Sequence, residues 1–191
     1  MERLRTSVRE GVDYHPYLPR EDGRLPMSDF GGVHRYNVTG LFHDMWGFPS
    51  DNPQVVHDLL RHLVDKINNN VNQITNFKSY YLDDAESVLI SYRSSARSAL
   101  HVVELLRPRG ERIGLLELQT LWPFPDQLVR RTCEHAKHVI VVEMNMGQVL
   151  QEVRRVVDQP RKVFLANRID GVFITPRDIR NIMRLVQGKG V

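Results

Sequence analysis

Residues 87–118, SVLISYRSSARSALHVVELLRPRGERIGLLEL, decide the fold. Ser87 to Tyr92 is a short run that is nearly all apolar, the pattern of a strand covered on both faces. Ser95 is placed to cap a helix in which Ala96, Ala99, Leu100, Val103 and Leu106 recur at helical spacing until Pro108 and Gly110 stop it. Arg112 to Leu118 is a second strand of the same kind. Two doubly buried strands joined by an amphipathic helix make a parallel βαβ unit.

The pattern repeats toward the carboxyl end. Pro125 opens a helix with Leu128, Val129, Thr132, Cys133 and Ala136 inward, and His138 to Glu143 is a third strand. A helix carrying Val149, Leu150, Val153, Val156 and Val157 leads to a fourth strand, Lys162 to Ala166. Thr175-Pro176-Arg177-Asp178 then joins a capping box to proline at the first helical position, starting a helix with Ile179, Ile182, Met183 and Val186 inward. The expectation is an α/β fold of three layers, α/β/α, with an open and mostly parallel sheet; the region from Tyr80 to Asp83 is a candidate for a further strand.

Toward the amino end the pattern is different. Between Tyr14 and Pro49 stand Pro16, Pro19, Pro26 and Pro49 with Gly23, Gly31, Gly32, Gly40 and Gly47, and no helical period survives more than a turn. Residues 1–52 read as an extended arm, with turns at Glu21-Asp22-Gly23 and Phe30-Gly31-Gly32. An arm of this length is unusual within a compact domain and is expected to lie on another domain or subunit. Asn52-Pro53 starts a connecting helix over 53–72, with Val56, Leu59, Leu60, Leu63, Val64 and Ile67 on one face and the polar run Asn68-Asn69-Asn70 near its end. The α/β domain then occupies 73–191.

Length and composition bound the function. The chain has 191 residues, 41% hydrophobic and 26% charged, which suits one domain plus an arm. No apolar run approaches the roughly 18 residues of a membrane span, and the charged start Met1-Glu2-Arg3-Leu4-Arg5 lacks a signal peptide's apolar segment, so a cytoplasmic location without membrane contact is expected. The single cysteine, Cys133, excludes an internal disulfide and an iron–sulfur cluster held by this chain alone. A net charge of +3 is too small a field to point to nucleic acid. Gln151 to Val191 is more basic, with nine Lys or Arg against four Asp or Glu.

In an open parallel sheet, polar residues that matter gather in the loops after the carboxyl ends of the strands. These loops supply the candidates Ser94, Ser95 and Arg97 after the first strand, Trp122 after the second, Glu143, Asn145 and Gln148 after the third, and Asn167 and Arg168 after the fourth. Structural roles compete for each: serines as caps, Trp122 and Phe124 as a lid on the sheet end, Asn145 and Gly147 as turn formers, Asp170-Gly171 as a turn. Taken together, with Trp122 and two methionines at one edge, the set suits a docking surface better than a catalytic pocket. His43 and Asp44, in the arm, read as contacts that fix the arm. There is no glycine-rich phosphate loop, no Gly-x-Ser-x-Gly elbow and no metal-ligand spacing among the eight histidines, so no residue is assigned a catalytic or metal-binding role.

Several stretches together resemble the alpha subunit of 2-oxoacid:ferredoxin oxidoreductases, most closely the 2-oxoglutarate type. They are Asn37-Val38-Thr39-Gly40-Leu41-Phe42-His43-Asp44 with Gly47 and Pro49, Tyr81 to Glu86, Ser94 to Ala99, Thr120 to Pro125, Val142 to Gln148, and Asn167 to Gly171 followed by Ile174-Thr175-Pro176. They run in the family's order over nearly the whole chain from about Phe30. The resemblance implies a domain similar to the transketolase C-terminal domain, serving assembly and shaping the active-site entrance of a complex that oxidatively decarboxylates a 2-oxoacid to acyl-CoA and reduces ferredoxin. It implies that thiamine diphosphate, magnesium, the iron–sulfur cluster and coenzyme A belong to the whole complex, that the beta subunit and other subunits are partners with ferredoxin reached indirectly, and that the isolated chain is inactive and binds no cofactor alone. One position departs from the family: glycine usually follows the tyrosine of the first strand, where this chain has Arg93. The alternative reading is a free-standing doubly wound domain that binds a small ligand or acts as an interaction module.

Overall fold

The computed structural model describes residues 13–188, so the charged start and Lys189 lie outside the described residues. The chain divides into two compact units, one up to Asn70 and the other from Val71.

The second unit opens on a short helix α2 (Val71–Ile74) and holds five strands, β1 (Phe77–Tyr80), β2 (Ser87–Ser91), β3 (Ile113–Leu118), β4 (His138–Glu143) and β5 (Val163–Asn167), in the order β1-β3-β2-β4-β5. The four strands from β2 to β5 are mutually parallel, in a register that sets Ile90 beside Leu116 and Val141. The further strand expected over Tyr80 to Asp83 lies earlier, at Phe77–Tyr80, and runs antiparallel to β3 at the edge. Tyr81 to Asp84 turns instead, because the main chain there crosses β3: a Cβ on Gly114 would lie 2.5 Å from the Tyr81 carbonyl oxygen. Arg107 holds this crossing, donating to the carbonyls of Tyr81 and Ile113 at 2.6 Å and gripping both Asp84 oxygens.

Alternate strand residues feed two cores, one on each face of the sheet. Val88, Ile90, Val139 and Val141 pack with Val129 and Cys133 of α4 (Asp126–Cys133) and with Val149, Leu150 and Val153 of α5 (Gln148–Val156). Leu89, Ile140 and Val142 pack with Ala99, Val102 and Val103 of α3 (Arg93–Leu106) and with Ile179 and Met183 of α6 (Pro176–Val186). This is the three-layer α/β/α sandwich, with short parallel strands buried on both faces.

Helix starts follow local chemistry, with one correction. The capping box at Thr175 is complete: its hydroxyl accepts from the Asp178 N–H, and the Asp178 carboxylate accepts from the Thr175 N–H. Ser95 does not cap α3. The helix begins two residues earlier, at Arg93, and the Ser95 hydroxyl donates back to the Tyr92 carbonyl at 2.7 Å, one turn below. Arg93 itself takes φ +52°, the left-handed region that favours glycine, so the backbone asks for the residue that the family usually has there.

The first unit holds α1 (Pro53–Asn68), capped by the Asn52 carbonyl oxygen of the side chain. Its expected apolar face has no buried residue, and Leu60, Leu63 and Val64 are exposed. Residues 13–52 form no helix or strand beyond a bridge between His43 and Pro49, and they are fastened by local contacts. Tyr14 Oη donates to Pro26 O and Tyr17 Oη to Asn37 O, while Gly47, at φ +88°, passes Tyr17 so closely that a Cβ would lie 2.7 Å from its ring.

Two outcomes follow from this packing. Val141→Asp places an unpaired carboxylate in a doubly covered strand at a cost of several kcal/mol, against a total stability of roughly 5–15 kcal/mol, so the variant is expected to lose cooperative melting by circular dichroism. Arg93→Gly removes left-handed strain of about 1–2 kcal/mol and adds unfolded-chain entropy worth about 0.5–1 kcal/mol, so chemical denaturation is expected to show a gain of up to about 1 kcal/mol. A loss would contradict the strain.

Candidate functional site

The strand order reverses between β2 and β4: β2 leads through α3 to β3 on one side, and β4 leads through α5 to β5 on the other. The crevice at the carboxyl end of such a pair is where open α/β sheets ordinarily take ligands. Here this chain's own side chains span it. Asn145 Nδ2, after β4, donates to Tyr92 Oη, after β2, at 2.6 Å, and the Ser94 hydroxyl lies 3.9 Å from Met144 Sδ.

Under that bridge sits Glu143, the last residue of β4, with 0% of its surface exposed. Its two carboxylate oxygens accept the N–H groups of Val149 and Leu150 at 3.1 Å each, in the first turn of α5. A buried carboxylate is tolerable when charge-assisted bonds and a helix amino end meet both of its oxygens. Asn145 completes the cap, its Oδ1 accepting from Gly147 and Gln148, and Gly147 takes φ +98° to make the turn. Burial, helped by the Glu143 charge, raises the Tyr92 hydroxyl above its ordinary pKa, so it stays protonated.

The loops are also tied to one another. Asn167 Nδ2 donates to the Asn145 carbonyl at 2.8 Å. Arg168 grips Asp170 through Nε and Nη2 and reaches Asp178 at 3.6 Å, which holds the Asp170 carboxyl down to about 2. Its positive charge is therefore matched within its own loop and is poorly placed to attract an anionic ligand. Below, the Ser91 hydroxyl donates to Val142 O at 2.8 Å, joining β2 to β4.

The structure thus brings Ser94, Ser95, Glu143, Asn145, Asn167 and Arg168 together at one edge but uses them to hold it. Gln148 is exposed at the start of α5, and Arg97 is exposed on α3 without a carboxylate partner among the described residues, as is Arg93. Trp122 is not a lid: its ring is 74% exposed, and Leu121 and Phe124 are the neighbours that pack on the core. Only one of the two methionines stands out, Met146 at 72%, since Met144 is half-buried. Ile169 at 64% and Phe173 at 68% join the same edge; Ile169 is a single apolar residue between Arg168 and Asp170, and Phe173 stands in the short apolar run Val172-Phe173-Ile174, which reads as core rather than rim. Tyr92 was also missed, although its place at the end of a strand just before the family's glycine position was a signal.

His43 and Asp44 lie in the other unit. Asp44 Oδ1 accepts from the N–H groups of Trp46 and Phe48 and so closes the turn to Gly47, while the His43 ring packs against Tyr17 at a tilt of 44°, with centroids 4.0 Å apart.

Residues 85–179 match the family model described as pyruvate:ferredoxin oxidoreductase core domain II. Over 172 residues, 90% of this chain, the sequence is 37% identical to the 2-oxoglutarate synthase subunit KorA of Methanothermobacter thermautotrophicus, covering 46% of that subunit. The KorA of Archaeoglobus fulgidus is 38% identical over 78% of this chain and 42% of its own. The ketoisovalerate oxidoreductase subunit VorB of Methanothermobacter thermautotrophicus is 38% identical over 59% of this chain and 32% of its own. The chain thus spans just under half the length of the KorA relatives it matches. In fold it superposes with a TM-score of 0.84 on a 2-oxoglutarate:ferredoxin oxidoreductase from Magnetococcus marinus solved with 2-oxoglutarate, coenzyme A and succinyl-CoA bound, at 23% identity over 95% of this chain and 32% of that one. On these matches the chain belongs to the 2-oxoacid:ferredoxin oxidoreductase family, as the core domain II part of an alpha-type subunit.

Proposed function

We propose that this chain works within a 2-oxoglutarate:ferredoxin oxidoreductase complex, which oxidatively decarboxylates the 2-oxoacid, passes the acyl group to coenzyme A and the electrons to ferredoxin. Its own share is assembly: the carboxyl edge of the sheet docks against a beta-type subunit and walls the active-site entrance, with Ser94, Arg97, Trp122, Gln148 and Asn167 facing the contact. The observation that carries this reading is the contrast at that edge. Trp122, Met146, Ile169 and Phe173 are exposed, while Tyr92, Glu143, Asn145, Asn167 and Arg168 are bonded to the fold, leaving Arg93, Arg97 and Gln148 facing outward. An apolar rim over a rigid polar bed suits a protein interface better than a pocket that must bind and release a polar substrate.

The donor set at this edge fits neither magnesium nor an iron–sulfur cluster. Both Glu143 oxygens are taken by backbone N–H groups, and Asp170 and Asp178 are bound to Arg168. Cys133 is buried, and burial pushes its thiol up to about 12, far from a ligating thiolate. Among the described residues no three of His, Cys, Asp or Glu are grouped to hold a metal. In this reading thiamine diphosphate with magnesium, the cluster and coenzyme A belong to other parts of the complex. The His43–Pro49 turn joins the same assembly as an arm contact. No helix among the described residues is long and apolar enough to cross a membrane, in keeping with a complex that works in the cytoplasm.

Trp122→Ala tests this directly. The variant chain is expected to melt within about 1 °C of its parent, while its affinity for the beta-type subunit falls by at least about tenfold, as for an aromatic hot spot, in a titration followed by size exclusion. Reduction of a redox dye with 2-oxoglutarate and coenzyme A is expected only when both subunits are present. A melting point lowered by several degrees with unchanged complex formation, or dye reduction by this chain alone, overturns the proposal.

A further inference from the structure

The basic excess between Gln151 and Val191 leads to the opposite edge of the sheet. Four of its described cations are bonded to the fold: Arg154 donates to the Val163 carbonyl, Arg155 grips Asp126 and Glu152, Lys162 donates to the carbonyls of Cys133 and Glu134, and Arg168 holds Asp170. Apart from Arg161, the remainder among the described residues is concentrated on α6, where Arg177, Arg180 and Arg184 recur at spacings of three and four and so share one face. None of these three has a carboxylate partner among the described residues, and like charges at such spacing disfavour the helix.

Two of them share a cavity lining with a third arginine. Arg180 and Arg184, with Arg109 from the turn that follows α3, line a cavity of about 220 Å³ that Leu106 and Met183 back with apolar surface. Among the described residues Glu111 is the one carboxylate in the lining, so there three positive charges stand against one negative. A cation in the last turn of a helix is favoured by the helix dipole, which accounts for Arg184. It does not account for three arginines lining one cavity with no carboxylate ion-paired to them among the described residues.

We infer that this cavity binds the phosphate group of a small phosphomonoester. The surplus of two charges matches a phosphate dianion, and guanidinium forks meet phosphate oxygens in pairs. The volume is below the roughly 300–1,000 Å³ of a site that encloses a whole drug-sized ligand, so the cavity grips one group and leaves the rest of the molecule outside. Leu106 and Met183 favour an ester whose organic part is apolar next to the phosphate. The site lies at the amino end of the strands, away from the proposed docking edge, and its existence does not rest on the assembly proposal.

The probe is phenyl phosphate, titrated into the full chain at constant ionic strength by calorimetry, with inorganic phosphate as competitor. Expected are saturation with Kd below about 1 mM, displacement by inorganic phosphate, and at least a tenfold loss in the double variant Arg180→Gln, Arg184→Gln. Arg161→Gln, distant on the surface, is expected to bind as the parent does. Should the double variant fail to fold, Arg109→Gln carries the same expectation. No saturation by about 10 mM, or equal affinity in the parent and the folded cavity variants, overturns the inference.

Discussion

The bond that the carboxyl edge depends on is the one from a buried carboxylate to a helix. Glu143 ends the interior strand β4 without contact to water, and both of its oxygens are met by N–H groups in the first turn of α5. That places the amino end of α5 against the end of β4 and leaves four residues, Met144 to Gly147, to turn the chain. Asn145 then caps the same helix and reaches Tyr92 across the point where the strand order reverses, and Asn167 reaches back to the Asn145 carbonyl. The loops after three strands are therefore mutually braced through Asn145, in the turn whose far end the Glu143 carboxylate fixes. Removing one of its oxygens as an acceptor leaves a buried N–H unpaired, a cost of about 1–3 kcal/mol.

Such bracing has a functional meaning. A ligand crevice needs polar groups that are free to pair with the ligand, and at this edge they pair with one another. Rigid polar support below and exposed Trp122, Met146, Ile169 and Phe173 above are what an interface requires, because anchors already held in place lose little entropy on docking. Under the proposed function the chain contributes shape and burial beside a subunit that carries the cofactor, and the reacting groups come from its neighbours.

Much of the fold was legible because the β2–α3–β3 stretch carries two unambiguous patterns, and the same alternation returned at β4 and β5. Thr175-Pro176 and Asn52-Pro53 were legible for a similar reason: a cap and a first-turn proline act locally, and nothing distant overrides them. What misled was long-range. Ser95 has the chemistry of a cap, but the backbone turns at Arg93 and places Ser95 inside the helix. The edge strand was misplaced by a few residues because the crossing over Gly114, held by Arg107, takes Tyr81 to Asp84 out of the sheet. At the site, residue type located the edge but not the duties: Glu143 and Arg168 read as candidate functional groups, and both are satisfied internally. The apolar members of the rim, Ile169 and Phe173, lie in a turn whose Asp170 and Gly171 attracted the reading instead.

The measurement that bears most directly on this account is hydrogen exchange of the full chain with and without the beta-type subunit. The amides of Val149 and Leu150, bonded to Glu143, should exchange slowly in both states. Binding should add protection over residues 120–124, 144–148 and 167–173, where the apolar rim is covered, and leave the turn at Arg107–Arg109 and the last turns of α6 unchanged. Protection confined to the opposite edge, or complex formation that leaves the three carboxyl-edge loops exchanging as before, would contradict the claim that this edge is the docking surface.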